Sequence, residues 1–224
     1  MVRALGSGPR GPRFESGRPD YAEGGQMKRI GKINRKTKET KITVVFNVDG
    51  EGKAKISTGI PFLDHMLTLF TKHGLFDLTL KAEGDLGVDI HHTNEDIGLC
   101  LGDALAGALK DKKGIKRFGS AFVPMDEALT RVVLDISGRA SFYLDSEIKF
   151  PSPLEKDKYD WQNLKHFLKS FAQRGGLNLH ISILKGEDFH HILESMFKAL
   201  GKALDEAIRI DERIKGIPST KGTL

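Results

Sequence analysis

Two segments of the chain carry the residues best suited to metal chemistry. HHTNEDIGLCLGDAL at 91–105 matches HHILESMFKALGKAL at 190–204 without a gap, and seven of the fifteen positions are identical. Each segment has a glutamate four residues after its first histidine and three after its second, a spacing at which helical side chains share a face. Asp89 and Asp188 stand two residues before the histidine pairs and are suitable helix N-caps. We therefore expect both His-His pairs in the first turn of a helix.

Adjacent histidines on a helix point in different directions. Side chains one residue apart diverge by about 100° around the helix axis, so a single helix offers its two histidines to two different ions. The duplicated motif thus predicts a pair of metal sites. His166 aligns with His65 in the repeat described below and is not included among the candidate ligands. The candidates are His91, His92, Glu95, His190, His191 and Glu194 in the motifs, with His65 and His180 in elements beside them.

The donor types narrow the kind of ion. Imidazole and carboxylate without thiolate favour a borderline six-coordinate ion such as Mn, Fe, Co, Ni or Zn over a closed structural zinc site. The spacing does not name the metal, because the choice among first-row ions depends on availability more than on affinity. Paired histidines that only cap a helix are the alternative, and the duplication of the whole motif argues against it.

The elements that carry these motifs also repeat along the chain. LDHMLTLFTKHG at 63–74 aligns with LKHFLKSFAQRG at 164–175, and ETKITVVFNVDG at 39–50 aligns with EALTRVVLDISG at 127–138. The aligned segments occur in the same order in both halves. A repeated order of this kind predicts two copies of one supersecondary unit.

Local patterns give the content of that unit. The segment 41–48 alternates apolar and polar residues, which predicts a half-buried strand. Pro61 opens a helical period and Gly74 is placed to end it. We predict an α+β fold in which a strand-strand-helix-strand-helix unit is duplicated, over residues 27–115 and 116–224, as two pseudo-symmetric halves with sheets packed on helices.

Composition limits the class of protein. The 224 residues suffice for one large domain or two small ones, and no apolar run approaches the roughly 18 residues of a membrane helix. Cys100 is the only cysteine, so an internal disulfide is impossible and the cytoplasm is the expected compartment. The net charge of +5 comes from interspersed signs, and the densest basic segment, Lys110–Arg117, lacks aromatics for base stacking, so we expect no nucleic-acid partner. Residues 1–26, with six Gly and three Pro, predict a disordered N-terminal extension or a remnant of cloning.

Six separated motifs resemble those of one known family. They are GIPFLDHML (59–67), HHTNEDIG (91–98), SGRA (137–140), LH (179–180), FHHILE (189–194) and PSTKG (218–222). Their order and spacing are similar to those of the imidazoleglycerol-phosphate dehydratases of histidine biosynthesis, over essentially all of residues 27–224. The resemblance implies a ribosomal protein S5 domain 2-like fold and a hydro-lyase that converts imidazole glycerol phosphate to imidazole acetol phosphate. It further implies two Mn²⁺ ions per active site and a particle of 24 identical subunits, with active sites shared between subunits.

The resemblance also implies roles for particular residues. One ion would be bound by His91, Glu95, His180 and His190, and the other by His65, His92, His191 and Glu194, from neighbouring chains. Glu39, in the RxTxET segment, matches the family's candidate base. The implied catalytic set is Glu39, His91, Glu95, His191 and Glu194. The implied substrate contacts are Glu39, His73, Arg117, Arg139, Lys198, Ser219 and Lys221, of which the last two belong to a C-terminal phosphate-binding tail.

This residue set suits a dehydration. The substrate's imidazole is itself a metal ligand, so open coordination positions could bind its ring nitrogens and favour the imidazolate form. An electron-rich ring can expel the adjacent hydroxyl, and a carboxylate that removes the neighbouring C–H proton gives an enol that relaxes to the ketone. The phosphate requires positively charged donors.

The chain departs from the family pattern at two places. Thr68 and Leu69 stand where many relatives carry Asp-Gln, so we expect a glutamine contact to the substrate to be absent. Arg174 stands where Asn is frequent. These departures affect fine substrate contacts and leave the ligand set intact.

The residues leave two other functions open. One is a non-catalytic α+β binding module that metal only stabilises. The other is a dinuclear metallohydrolase, which would expect bridging carboxylates where this chain offers mainly histidines.

Overall fold

The chain folds into two halves with the same sequence of elements. A computed structural model describes residues 29–152 and 159–224, so the predicted extension at 1–26 lies outside the described residues. The first half contains β1 (Ile30–Lys36), β2 (Thr40–Asn47), β3 (Ala54–Ser57), α1 (Pro61–His73), β4 (Asp77–Gly84) and α2 (His91–Leu109). The second half contains β5 (Phe118–Met125), β6 (Ala128–Asp135), β7 (Ser141–Ser146), α3 (Trp161–Gly175), β8 (Asn178–Lys185) and α4 (Phe189–Ile208).

Each half builds one four-stranded sheet with the same topology. The strand orders are β1-β2-β4-β3 and β5-β6-β8-β7. All neighbouring strands are antiparallel except the last pair of each sheet, β3 with β4 and β7 with β8, which are parallel. The prediction of a duplicated α+β unit is confirmed. Each unit also holds one more strand than predicted, β3 or β7, because these short strands lack the clean alternation of buried apolar residues that marks β2.

Alternation along the central strands decides which face of each sheet the helices cover. Ile42, Val44 and Phe46 of β2 are fully buried, and the residues between them face outward. Burying these side chains contributes about 2 kcal/mol each relative to leaving them in water. Pro61 occupies the first turn of α1 and Gly74 follows its last residue, as predicted. Within the described ranges no helix is long and apolar enough to cross a membrane.

The helices pair across the two halves. α1 packs on α4, and α2 packs on α3. Gly102 of α2 and Gly201 of α4, which occupy the same position of the repeat, lie at close approaches of the paired helix backbones. A Cβ at Gly102 would lie 2.7 Å from the carbonyl oxygen of Phe171, and one at Gly201 would lie 2.5 Å from that of Phe70. Only glycine fits at such a distance, and the close approach brings each motif helix beside the first helix of the other half.

Candidate metal centre

The first turn of α4 meets α1 in a group of three donors, the α4 cluster, formed by His65, His190 and Glu194. The Nε2 atoms of His65 and His190 lie 3.0 and 3.1 Å from the same oxygen, Glu194 Oε1. Lys198 Nζ donates to the other oxygen, Oε2, at 2.7 Å. Partial burial would raise the pKa of Glu194, but hydrogen bonds from Lys198, His65 and His190 and the charge of Lys198 lower it to about 2. The carboxylate is therefore ionised and ready to act as a ligand.

The first turn of α2 meets α3 in an equivalent group, the α2 cluster, formed by His91, Glu95 and His166. The rings of His91 and His166 meet edge to face, with centroids 4.4 Å apart. His91 Nε2 lies 3.6 Å from Glu95 Oε2. In each cluster the three donor atoms lie within 4.8 Å of one another.

The two clusters are related by the internal repeat. Each takes a histidine and a glutamate from one half and a single histidine from the first helix of the other half. Both histidine pairs lie in the first turn of a helix, as predicted. Asp188 is the N-cap of α4 and accepts the backbone N–H groups of His190 and His191. The N-cap of α2 is Ile90 instead of the predicted Asp89, which lies one residue earlier and accepts the backbone N–H of His91.

His166, which was not among the candidate ligands, stands with His91 and Glu95 in the α2 cluster. Its alignment with His65 is the sequence signal that pointed to it, since a duplicated unit can retain the same donor in both copies. His180 joins neither cluster in this chain. It lies on the exposed face of β8, where its ring stacks on Tyr143 at a centroid distance of 4.7 Å. Within one chain His190 also groups with His65 and Glu194, whereas the family resemblance assigned it to the ion of His91.

The second histidine of each pair points away from its cluster, as the 100° divergence predicts. His92 has two-thirds of its side chain exposed, and its Nδ1 lies 3.7 Å from Glu39 Oε2. His191 Nδ1 lies 2.8 Å from Glu127 Oε2. That hydrogen bond raises the pKa of His191 and, with backbone donors, lowers the pKa of Glu127 to about 2.

Glu39 lies in the turn before β2, beside the first turn of α2. The turn is fixed to the helix by Asp96, which accepts a hydrogen bond from Thr40 Oγ1 at 2.6 Å and an ion pair from Arg35 at 3.0 Å. Thr37 Oγ1 accepts the Glu39 backbone N–H at 3.1 Å. The backbone of this turn is thus held while the Glu39 carboxylate is two-thirds exposed beside His92.

The implied phosphate contacts divide between two regions. Lys198 lies beside the α4 cluster, where it donates to Glu194. Burial and the charges of Lys198 and Lys202 lower the pKa of the nearby His73. The other contacts lie near the end of β6. Arg117 donates two hydrogen bonds to Asp135 and one to the carbonyl oxygen of Pro218, which leaves two of the five guanidinium N–H groups for another ligand.

The C-terminal tail joins this second region, which we call the β6-end region: Arg117, Arg139, Ser219 and Lys221. The tail passes Arg117 at Pro218 and approaches Gly138, where a Cβ would lie 2.6 Å from the carbonyl carbon of Leu224. Ser219 and Lys221 lie between these two points, and Arg139 follows Gly138. Sequence resemblance alone pointed to these residues, and the structure brings them to one part of the surface.

The β6-end region is far from the α4 cluster of the same chain. The Arg117 backbone N–H donates to the carbonyl oxygen of Ala207, in the last turn of α4, whereas the α4 cluster is in its first turn. These turns are about 25 Å apart along the helix. A small molecule cannot contact both in one chain.

The positions that depart from the family pattern have structural roles here. Thr68 Oγ1 donates back to the carbonyl oxygen of Asp64 in α1 at 2.7 Å, and Leu69 packs against the core. Arg174 forms a two-bond ion pair with Asp103, at 2.7 and 2.9 Å, which ties α3 to α2. Arg174 therefore contributes to the contact between the halves.

The donors in both clusters fit a divalent transition ion. Each cluster offers two imidazole nitrogens and one carboxylate oxygen, a set that suits Mn, Fe, Co, Ni or Zn. Three donors leave coordination positions open on an ion that takes four to six ligands. Such positions are available to a substrate or to a residue of another chain.

Comparisons with known proteins agree on one family. Residues 58–204 match the sequence model described as imidazoleglycerol-phosphate dehydratase. The protein of that name from Thermoanaerobacter pseudethanolicus is 55% identical over 88% of this chain and 100% of its own length, and that from Bacillus subtilis is 55% identical over 85% and 96%. The crystal structure of the Pyrococcus furiosus enzyme, solved in complex with (S)-C348, has a TM-score of 0.72 at 38% identity and covers 86% of this chain and 100% of that one. The Staphylococcus aureus enzyme gives 0.71 at 34% identity, over 81% and 99%.

The membership of the α2 cluster can be tested by metal analysis. His166→Gln should remove one ligand and lower the Mn²⁺ retained per chain after equilibrium dialysis, by up to half, because the α4 cluster keeps its donors. Lys169→Gln, a substitution at an exposed position of the same helix, is the matched control and should leave the retained metal unchanged. Unchanged metal in His166→Gln would contradict the place of His166 in the α2 cluster. Loss of metal in His180→Gln would support the ligand that the family resemblance implies from a neighbouring copy.

Proposed function

The chain belongs to the imidazoleglycerol-phosphate dehydratase family, whose reaction in histidine biosynthesis it catalyses, and we propose that it does so with a pair of Mn²⁺ ions. The observation that carries this proposal is the convergence of two imidazoles and one carboxylate in each of two equivalent clusters. Their donor set accepts Mn²⁺ and lacks the thiolates of a closed structural zinc site.

The proposed role of the ions follows from the substrate's own chemistry. Bound ions would supply Lewis acidity to the ring nitrogens of the substrate imidazole and so favour the imidazolate form. The protein's part is to hold that ring at the helix starts, where Glu194 and Glu95 provide negative charge and the histidines provide neutral donors. The rings of Phe62 and His190 pack at right angles with centroids 5.3 Å apart, and this contact limits the orientations of the His190 ring.

Glu39 is the proposed base. Its carboxylate stands beside His92, and the Arg35–Asp96–Thr40 contacts fix the turn that carries it. An exposed carboxylate on a fixed turn can reach a substrate held at the neighbouring helix start and accept the C–H proton next to the departing hydroxyl. The enol that forms then relaxes to the ketone.

The proposed phosphate contacts are Arg117, Arg139, Ser219 and Lys221, together with Lys198, and His73 is a further proposed substrate contact. Arg117 keeps two N–H donors while it holds the tail at Pro218, so one side chain can anchor the tail and bind an anion. Lys198 is partly buried against Glu194 and Met125, which fixes its ammonium group beside the α4 cluster.

We propose that each active site is shared between copies of the chain, in a particle of 24 subunits. Two observations support sharing. The β6-end region is about 25 Å from the α4 cluster of the same chain, which exceeds the reach of a small phosphate ester. His92 and His191 also point outward, where they can supply a fourth donor to an ion held mainly by another copy.

The outer faces of the two sheets give further support for self-association. Phe122 and Tyr143 are exposed on the second sheet, together with Phe118 and Val133. The positions of the first sheet that correspond to Phe122 and Tyr143 are Asn34 and Lys55. Exposed aromatic side chains on only one of two related sheets suit a contact between copies.

The proposed location is the cytoplasm. The family is biosynthetic, and the single cysteine, Cys100, is buried as a free thiol whose pKa burial raises to about 12. The thiol is therefore protonated and unreactive, in keeping with a protein that functions without thiol chemistry.

The proposed reaction can be tested with the metal-loaded protein and imidazole glycerol phosphate. Wild-type protein should form imidazole acetol phosphate, and product formation should stop when the metal is chelated. Glu39→Gln should lower kcat by about 100-fold or more, because an amide cannot accept the proton. Its Mn²⁺ content and its sedimentation should match those of wild type. Normal turnover by Glu39→Gln would exclude this base, and no product from wild-type protein with bound Mn²⁺ would contradict the proposed function.

Shared sites can be tested by mixing two defective variants. Glu194→Gln lacks a metal ligand and Arg139→Ala lacks a phosphate contact, so each alone should have little activity. When the two are mixed without metal and then loaded with Mn²⁺, random assortment should restore up to about a quarter of the sites.

The matched control for this mixture carries both substitutions in one chain. Mixing that double variant with Arg139→Ala leaves no chain with an intact phosphate contact, and activity should stay at the level of Arg139→Ala. A Glu194→Gln and Arg139→Ala mixture that is no more active than the mean of its components would show that one chain supplies the whole site.

A further inference from the structure

Glu127, in the turn between β5 and β6, is held between α4 and the segment that precedes it. Its Oε2 atom lies 2.8 Å from Nδ1 of His191. Its Oε1 atom accepts the backbone N–H groups of Glu187 and Asp188, at 3.2 and 3.0 Å. Both oxygens of the carboxylate are therefore engaged, and the side chain is fixed relative to the first turn of α4.

The contact determines which ring nitrogen of His191 can bind a metal. An ionised carboxylate only accepts hydrogen bonds, so the nitrogen that faces it must carry the proton. In a neutral imidazole the other nitrogen, Nε2, then has the free lone pair. His191 Nε2 lies 3.8 Å from Asp126 Oδ2, which is beyond hydrogen-bonding distance. The arrangement has the form of the carboxylate-histidine pairs that orient metal ligands.

The first half of the repeat uses the corresponding residues differently. Glu39 aligns with Glu127 and His92 with His191, but Glu39 Oε2 is 3.7 Å from His92 Nδ1 and both side chains are two-thirds exposed. A physical reason lies in the loops before the motif helices. The loop before α4 is only residues 186–188, which brings two backbone N–H groups to Glu127, whereas the loop before α2 covers 85–90.

We propose that Glu127 is a positioning residue that holds His191 in the Nδ1–H tautomer, so that Nε2 faces a divalent ion shared with another copy of the chain. The proposal rests on the proposed function in one respect, since it takes His191 as a metal ligand. Under this proposal the two equivalent glutamates of the repeat have different roles. Glu127 orients a histidine, and Glu39 is free to accept a proton.

The substitution Glu127→Gln tests the positioning role, because glutamine has nearly the same size and shape as glutamate. The two backbone N–H groups should keep the amide oxygen at the Oε1 position, which turns the amide NH₂ toward His191. An NH₂ group donates, so Nδ1 becomes the acceptor and the proton moves to Nε2. The substitution should therefore reverse the tautomer and block the nitrogen that binds metal.

The tautomer can be read in the metal-free protein by solid-state NMR with ¹⁵N-labelled histidine, at a pH high enough to keep the ring neutral. The His191 signals are assigned by their loss in His191→Gln. Wild type should show Nδ1–H, and Glu127→Gln should show Nε2–H. Mn²⁺ titration should give about 10–100-fold weaker binding at the affected site in Glu127→Gln.

Glu187→Gln is the matched control, because it removes a carboxylate from the same loop and keeps the backbone N–H that contacts Glu127. It should preserve both the tautomer and the affinity. An Nε2–H signal in wild type, or the same tautomer in wild type and Glu127→Gln, would overturn the positioning role whatever the enzyme's activity. A reversed tautomer with unchanged Mn²⁺ affinity would overturn the link to metal binding. Failure of wild-type protein to dehydrate the substrate, measured separately, would count against the proposed function instead.

Discussion

The close approach of helices from opposite halves is the constraint on which the rest of the site depends. Gly102 and Gly201 let α2 and α4 lie against carbonyl oxygens of α3 and α1, at distances that any Cβ would prevent. Only at this separation can His166 meet His91, and His65 meet Glu194. Neither half contains a complete cluster. The duplication therefore makes the two halves dependent on each other for metal binding as well as for burial of their apolar faces.

Much of this arrangement could be predicted from the sequence. The alignment of the two HHxxE segments predicted two clusters at helix starts, and alternation in β2 predicted its buried face. The approach of His166 to His91 could not be predicted from spacing within one element, because it depends on which helix of the other half packs on α2. β3 and β7 were missed since short, half-exposed strands lack a clear period. The position of the C-terminal tail depends on contacts such as Arg117 with Pro218, which no local pattern encodes.

The two halves share a fold and differ where function requires it. Glu39 and Glu127 occupy the same position of the repeat, yet one is exposed and the other is bound at both oxygens. The outer faces of the sheets diverge in the same way, since Asn34 and Lys55 correspond to Phe122 and Tyr143. In both comparisons the buried core positions of the two halves remain similar, and the differences lie at surface positions. Packing restricts the core positions, whereas loop length and surface chemistry are free to specialise.

The most direct test of metal binding at the two helix starts is anomalous diffraction from crystals of the Mn²⁺-loaded protein. We expect two manganese peaks per chain, one at the α4 cluster and the other at the α2 cluster. We also expect His92, His180 and His191 to complete these sites from neighbouring copies. Manganese bound away from both helix starts, or either cluster facing solvent without metal in the crystal, would contradict this assignment.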